Sequence, residues 1–133
     1  NMKGEATTNK WEKSANATAF GGIDWYGDGN YEFYTLAEDT LSIRNSSGAI
    51  LYSTLLDEGK VSVQVFTVGN GQALGCYHHE KEEFYLFRSD LSLYDDFPLA
   101  AKAMPAIHWT EAMETPIIYY LNSQGNLVAK RLK

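Results

Sequence analysis

The sequence carries a single cysteine, Cys76, so no disulfide can close within the chain. A lone thiol suits an exported domain as well as a cytosolic one and leaves the compartment open. Basic residues are scarce too: 11 Lys and Arg stand against 17 Asp and Glu, a net charge of −6. Contact with phosphates needs a basic face that releases counterions, so a nucleic-acid role is not expected. No apolar run approaches the roughly 20 residues a helix needs to cross a bilayer, and membrane insertion is not expected. Also missing are the Gly-x-Ser-x-Gly elbow, the phosphate-binding loop and the dinucleotide fingerprint. Helix-compatible stretches occur only around 97–104 and 110–113, where Pro98, Pro105 and Pro116 keep any helix short.

What is present points to pleated structure. A chain of 133 residues, 44% hydrophobic and 21% charged, fits one folded domain. Nine Tyr, six Phe and three Trp favour strands, where flat rings pack across neighbouring chains. Residues 1–16 are polar around Trp11 and are expected to form a loose arm or an edge strand; residues 17–133 are expected to form the domain. From Ala17 onward, apolar stretches recur every eight to twelve residues with turn residues between them, the spacing of antiparallel all-β domains. Strands are predicted at 17–23, 31–37, 40–45, 49–55, 61–68, 72–78, 83–88, 91–94, 116–122 and 126–132. Turns are supplied by Gly27-Asp28-Gly29-Asn30, Asn45-Ser46-Ser47-Gly48, Asn70-Gly71 and Ser123-Gln124-Gly125-Asn126.

Two internal echoes suggest repetition. Glu32-Phe33-Tyr34 followed by Asp39-Thr40-Leu41-Ser42 resembles Glu83-Phe84-Tyr85 followed by Asp90-Leu91-Ser92-Leu93. Aligned by their turns, 40–56, 83–99 and 116–132 each hold an apolar strand, a polar turn and a second apolar strand. Units of roughly 40 residues with several strands apiece suggest blades that stack because none buries its own faces.

The run Asp24-Trp25-Tyr26-Gly27-Asp28-Gly29-Asn30-Tyr31-Glu32-Phe33, with the strand, the turn ending in Gly48 and Ile50-Leu51-Tyr52-Ser53 after it, resembles an FG-GAP or VCBS-type β-propeller repeat of bacterial surface proteins. The second unit from Glu83 and the closing 117–132 hairpin are similar in diverged form. The resemblance implies an all-β fold of about three antiparallel propeller-blade-like sheets and a secreted or cell-surface location, with any export signal removed ahead of Asn1 and Met2. It also implies a Ca²⁺ loop, onto which Asp24, Asp28 and Glu32 map as acidic ligands. Tyr26 stands where a further carboxylate belongs, which weakens such a site because Ca²⁺ affinity follows carboxylate number. The alternative is a tight glycine turn with Asp28 capping backbone amides. Closed propellers have at least four blades, so three units imply an incomplete ring, a ring completed by a second copy, or a two-layer β-sandwich.

Chemistry has few other footholds. In His78-His79-Glu80, alternation puts His78 and Glu80 on one strand face; with His108 they would make a metal-dependent, hydrolase-like centre. The alternative is a solvated turn between strands. Cys76 sits in an apolar strand, as a buried thiol does. Trp25, Tyr26 and Trp109 flank predicted loops, where rings can stack on sugars or anchor a protein; as core residues they would do neither. The sequence therefore predicts a non-catalytic binding or assembly module for a protein or glycan, with self-association a further expectation. No cofactor is expected beyond the Ca²⁺ that the resemblance implies. The other candidates are the hydrolase and a purely structural oligomerisation unit.

Overall fold

The structure is a computed structural model that describes residues 16–132. Eleven strands follow one another: β1 (Ala17–Ile23), β2 (Glu32–Ala37), β3 (Thr40–Arg44), β4 (Ile50–Leu55), β5 (Val61–Thr67), β6 (Gln72–His78), β7 (Glu83–Phe87), β8 (Leu99–Ala100), β9 (Ala106–His108), β10 (Ile117–Leu121) and β11 (Leu127–Arg131). They form three antiparallel meanders, β1-β2-β3-β4, β5-β6-β7-β8 and β9-β10-β11, each with neighbours in chain order. None closes into a barrel, and there is no helix among the described residues. The arm expected over 1–16 lies outside the described residues except for Asn16, whose amide donates to the Glu38 carboxylate.

Three stretches differ from the sequence reading. The helix-compatible stretch 97–104 instead carries β8, which pairs with the start of β7 before Ala101 N–H donates to Glu82 C=O. The 110–113 stretch makes a single turn, closed by Met113 N–H on Thr110 C=O. The strand predicted at 91–94 is reduced to a bridge between Phe87 and Leu93, with Tyr94 N–H bonded to Leu86 C=O. The fourth strand of the second sheet is thus split in two by Asp95-Asp96-Phe97-Pro98.

The three last hairpins turn in the same way. Asn45 N–H donates to Ala49 C=O while Gly48 N–H donates to Asn45 C=O; Arg88, Ser92 and Leu91 repeat the pair of bonds, and so do Asn122, Asn126 and Gly125. In each loop the fourth residue has a positive φ, 88° at Gly48, 63° at Leu91 and 82° at Gly125. A side-chain oxygen from Asn45, Asp90 or Asn122 caps the loop amides. Leu41, Phe84 and Ile118, each four residues before the loop's first residue, are all fully buried. The turn-based alignment therefore falls on equivalent hairpins. The Glu-Phe-Tyr phrase does not: it opens β2, a second strand, and β7, a third strand, because it encodes only the start of an apolar strand after a turn. Counting back from the shared hairpin, β9 stands where β2 and β6 stand, and the described part of the third sheet has no counterpart of β1 or β5.

The core is layered accordingly. One cluster joins Ile23, Leu36, Leu41 and Ile43 of the first sheet to Leu74, Cys76 and Phe87 of the second. A second joins Phe66, Ala73, Tyr77, Phe84 and Leu86, from the other face of the second sheet, to Ile118 of the third. Alternate residues of β6 thus serve different clusters, as the period of two dictates. Burying one such large side chain contributes roughly 1.5–3 kcal/mol, and the middle sheet collects that contribution on both faces.

Candidate functional site

The loop between β1 and β2 is built around Asp24. Its Oδ1 accepts from the amides of Gly27 (2.9 Å) and Asp28 (3.2 Å), and its Oδ2 accepts from Gly29 (2.9 Å). Asp28 in turn accepts from Asn30 N–H, which holds its carboxyl below the usual carboxylate range. Glu32 Oε1 accepts the indole N–H of Trp25 at 3.0 Å. The loop is tied to the second sheet: Asp24 N–H donates to Gln72 Oε1 and Gln72 N–H to Trp25 C=O. Gly27 is required there, since its φ is +70° and an added Cβ would stand 1.8 Å from Asn70 O.

In this geometry the residues that the resemblance groups as Ca²⁺ ligands each have other partners. Asp24 faces its own loop amides, Asp28 faces Asn30 and Glu32 faces Trp25. Among the described residues no group of three or more His, Cys, Asp or Glu side chains is placed to hold a metal. Capping falls mainly to Asp24, where Asp28 was expected.

The aromatic trio is also divided. Trp25 is buried in the first core cluster, so it is a packing residue and not an exposed platform; the tie between its loop and Gln72 folds it under the sheet. Tyr26 is 71% exposed, and its hydroxyl pairs with Ser89 Oγ at 3.0 Å. Trp109 lies on a different sheet, in the β9–β10 loop, and is half-buried.

The histidine group is divided as well: the Glu80 carboxylate and the His78 ring both lie against Gly59, away from His108 on the third sheet. His78 is buried; Lys81 N–H donates to its Nδ1 (3.2 Å), which leaves Nε2–H to donate to Glu58 C=O at 2.9 Å. The ring fastens the 57–60 connection to the 79–82 turn. Lys81 also pairs with Asp57, holding that carboxyl below its ordinary range. His79 pairs with Ser62 Oγ, and His108 is exposed on β9 of the third sheet. The Cys76 thiol is pushed up to about 12 by burial, so it stays neutral.

What the sequence did not single out is the outer surface of the end sheets. Nine large hydrophobic residues are exposed among the described residues: Phe20, Tyr26, Tyr31, Ile50, Leu51, Tyr52 and Leu55 belong to the first sheet and its loops, Leu121 and Leu127 to the third. The middle sheet has none. On the first sheet, register places Phe20, Thr35, Ser42 and Ser53 in one row of the outer face and Ala37, Thr40 and Leu55 in the next. A cavity of about 460 Å³ lies there, lined by Thr35, Ala37, Thr40, Ser42 and Ser53 with Asn16, Glu38 and Ile50 around them. On the third sheet the outer face carries Ile117, Tyr119 and Leu121 opposite Arg131, Ala129 and Leu127. The apolar run Ile117-Ile118-Tyr119-Tyr120-Leu121 was a signal available in the sequence, because a strand apolar at every position expects cover on both sides. No protein-family model, curated protein or solved structure matches this chain.

Proposed function

We propose that this chain is a non-catalytic binding and assembly module made of propeller-type blades, acting at or beyond the cell surface. The observation that carries the proposal is the distribution of exposed large apolar side chains, confined to the two outer sheets and absent from the covered one. Exposed apolar patches mark interaction surfaces when they cluster on one face. Support for blade-type stacking over a sandwich comes from the contacts of β1 with β5 and β6 and of β5 with β9. The location rests on the repeat resemblance alone.

The test is binding of a hydrophobic reporter dye to the folded chain. At a dilution where the chain is single, the wild type should bind it, and Leu121→Asp with Leu127→Asp should lower the signal while the melting curve stays in place. Equal dye binding by both proteins would remove the exposed flank as the functional surface. A tightly held stoichiometric zinc, with hydrolytic activity that falls on replacing His78 or His108, would overturn the proposal in favour of an enzyme.

A further inference from the structure

We infer that the partner of these flanks is a second copy of the same chain, with the outer face of the third sheet seated on the outer face of the first sheet of its neighbour. The inference rests on the assembly-module proposal and adds the occupant and the pairing of faces. Three features carry it. The first is shape: the third sheet offers the protruding side chains Tyr119, Leu121 and Leu127, whereas the first sheet offers a hollow of about 460 Å³ floored by the small side chains of Thr35, Ala37, Thr40, Ser42 and Ser53. Apolar knobs set into such a hollow approach the packing of a protein interior.

The second is charge. Arg131 shares the outer face with Ile117, standing opposite it in register, and Glu38 lines the hollow. A third sheet set against another third sheet would bring Arg131 toward its own copy and leave the hollow unfilled. The third is continuity. Inside the chain the first sheet covers one face of the second and the third covers the other, so the two complementary faces are kept apart by the middle sheet and cannot meet within one molecule. They meet when a second fan of three sheets is placed against the first. Each copy then gives one face and receives the other, and two identical contacts close the pair when the three sheets of one copy span half a turn.

Light scattering and sedimentation of the full chain over a concentration series test this. The wild type should approach twice the chain mass, whereas Leu127→Asp and Phe20→Asp, one on each face, should each return to the single-chain mass with an unchanged circular dichroism spectrum. Equal mixing of the two variants should restore association, since the intact first sheet of one meets the intact third sheet of the other. Hydrogen exchange of the wild type is a second readout free of any substitution: amides of β2, β3, β10 and β11 should slow as concentration rises. A wild type that stays single at millimolar concentration overturns the inference, as does a Phe20→Asp variant that pairs as well as the wild type, or a mixture that does not reassociate. A single-chain wild type that still binds the dye removes only the second copy as occupant, and a glycan-array signal would then name another. A single chain that binds no dye removes the assembly-module proposal as well.

Discussion

The middle and third sheets end in hairpins with the same backbone hydrogen bonds, yet their strands meet different surroundings. In β6 every residue from Ala73 to His78 is buried, since the first sheet covers one face and the third covers the other. In β11 exposed and half-buried residues alternate from Leu127 to Arg131, because only one face finds a partner among the described residues. Leu127 is 71% exposed and Phe84 is fully buried, although both are apolar residues in regular antiparallel strands. Local sequence builds the ribbon; the neighbouring sheet decides whether a ribbon's face is core or surface.

Substitutions can sharpen or break that contrast. Phe84→Ala, which removes a ring in edge contact with Phe66 and Phe97, should cost about 3–5 kcal/mol in urea unfolding; a loss below about 1 kcal/mol would mean that the middle sheet is not tightly enclosed. Gly75→Ala comes next. Its Cβ would stand 2.4 Å from the Phe66 ring and 2.8 Å from Phe84, and overpacking of that kind costs about 1–3 kcal/mol, measured by thermal melting.

Burial of Cys76 predicts an alkaline effect. The thiol's folded value of about 12 lies above its ordinary value of 9.0, so the stability it contributes is complete below about pH 9 and is lost as pH rises toward 12. The slope is about 1.4 kcal/mol per pH unit. Tyr85, raised by burial and its bond to Glu83, titrates in the same region, so the comparison to make is urea unfolding of the wild type against Cys76→Ala, whose alkaline slope should be shallower. The smallest effect belongs to the open flank: in dilute solution Leu127→Ala should shift stability by no more than about 0.5 kcal/mol, and a core-sized loss there would show that the flank is covered within one chain.

Strand positions were largely legible. The 17–23 and 72–78 strands match β1 and β6 end to end, and most others agree within a residue or two, because alternation and turn residues are local properties. The loop from Asn45 was readable for the same reason, as was the last loop, which was read from Ser123 and begins one residue earlier at Asn122. The third copy was harder to see, since Leu91 adopts the left-handed conformation that glycine takes in the other two loops. Its side chain reaches the first core cluster, and that burial offsets the backbone cost.

The candidate site was less legible. Trp25 and Tyr26 are adjacent in the chain, yet one lies in the core and the other in solvent, a difference made by the contact between their loop and the 68–72 turn of the next sheet. His78 carried the strongest chemical signal in its neighbourhood and proved to be a fastener, because both ring nitrogens meet backbone groups that the sequence does not place beside it.

By itself the sequence determined that the chain is pleated, where its ribbons turn and which hairpins repeat, since these depend on side-chain alternation and on residues that tolerate positive φ. Only the tertiary structure decided which sheet lies in the middle, which apolar faces remain uncovered among the described residues and where the hollow forms. Those outcomes depend on contacts between ribbons far apart in the chain, and local pattern does not encode them.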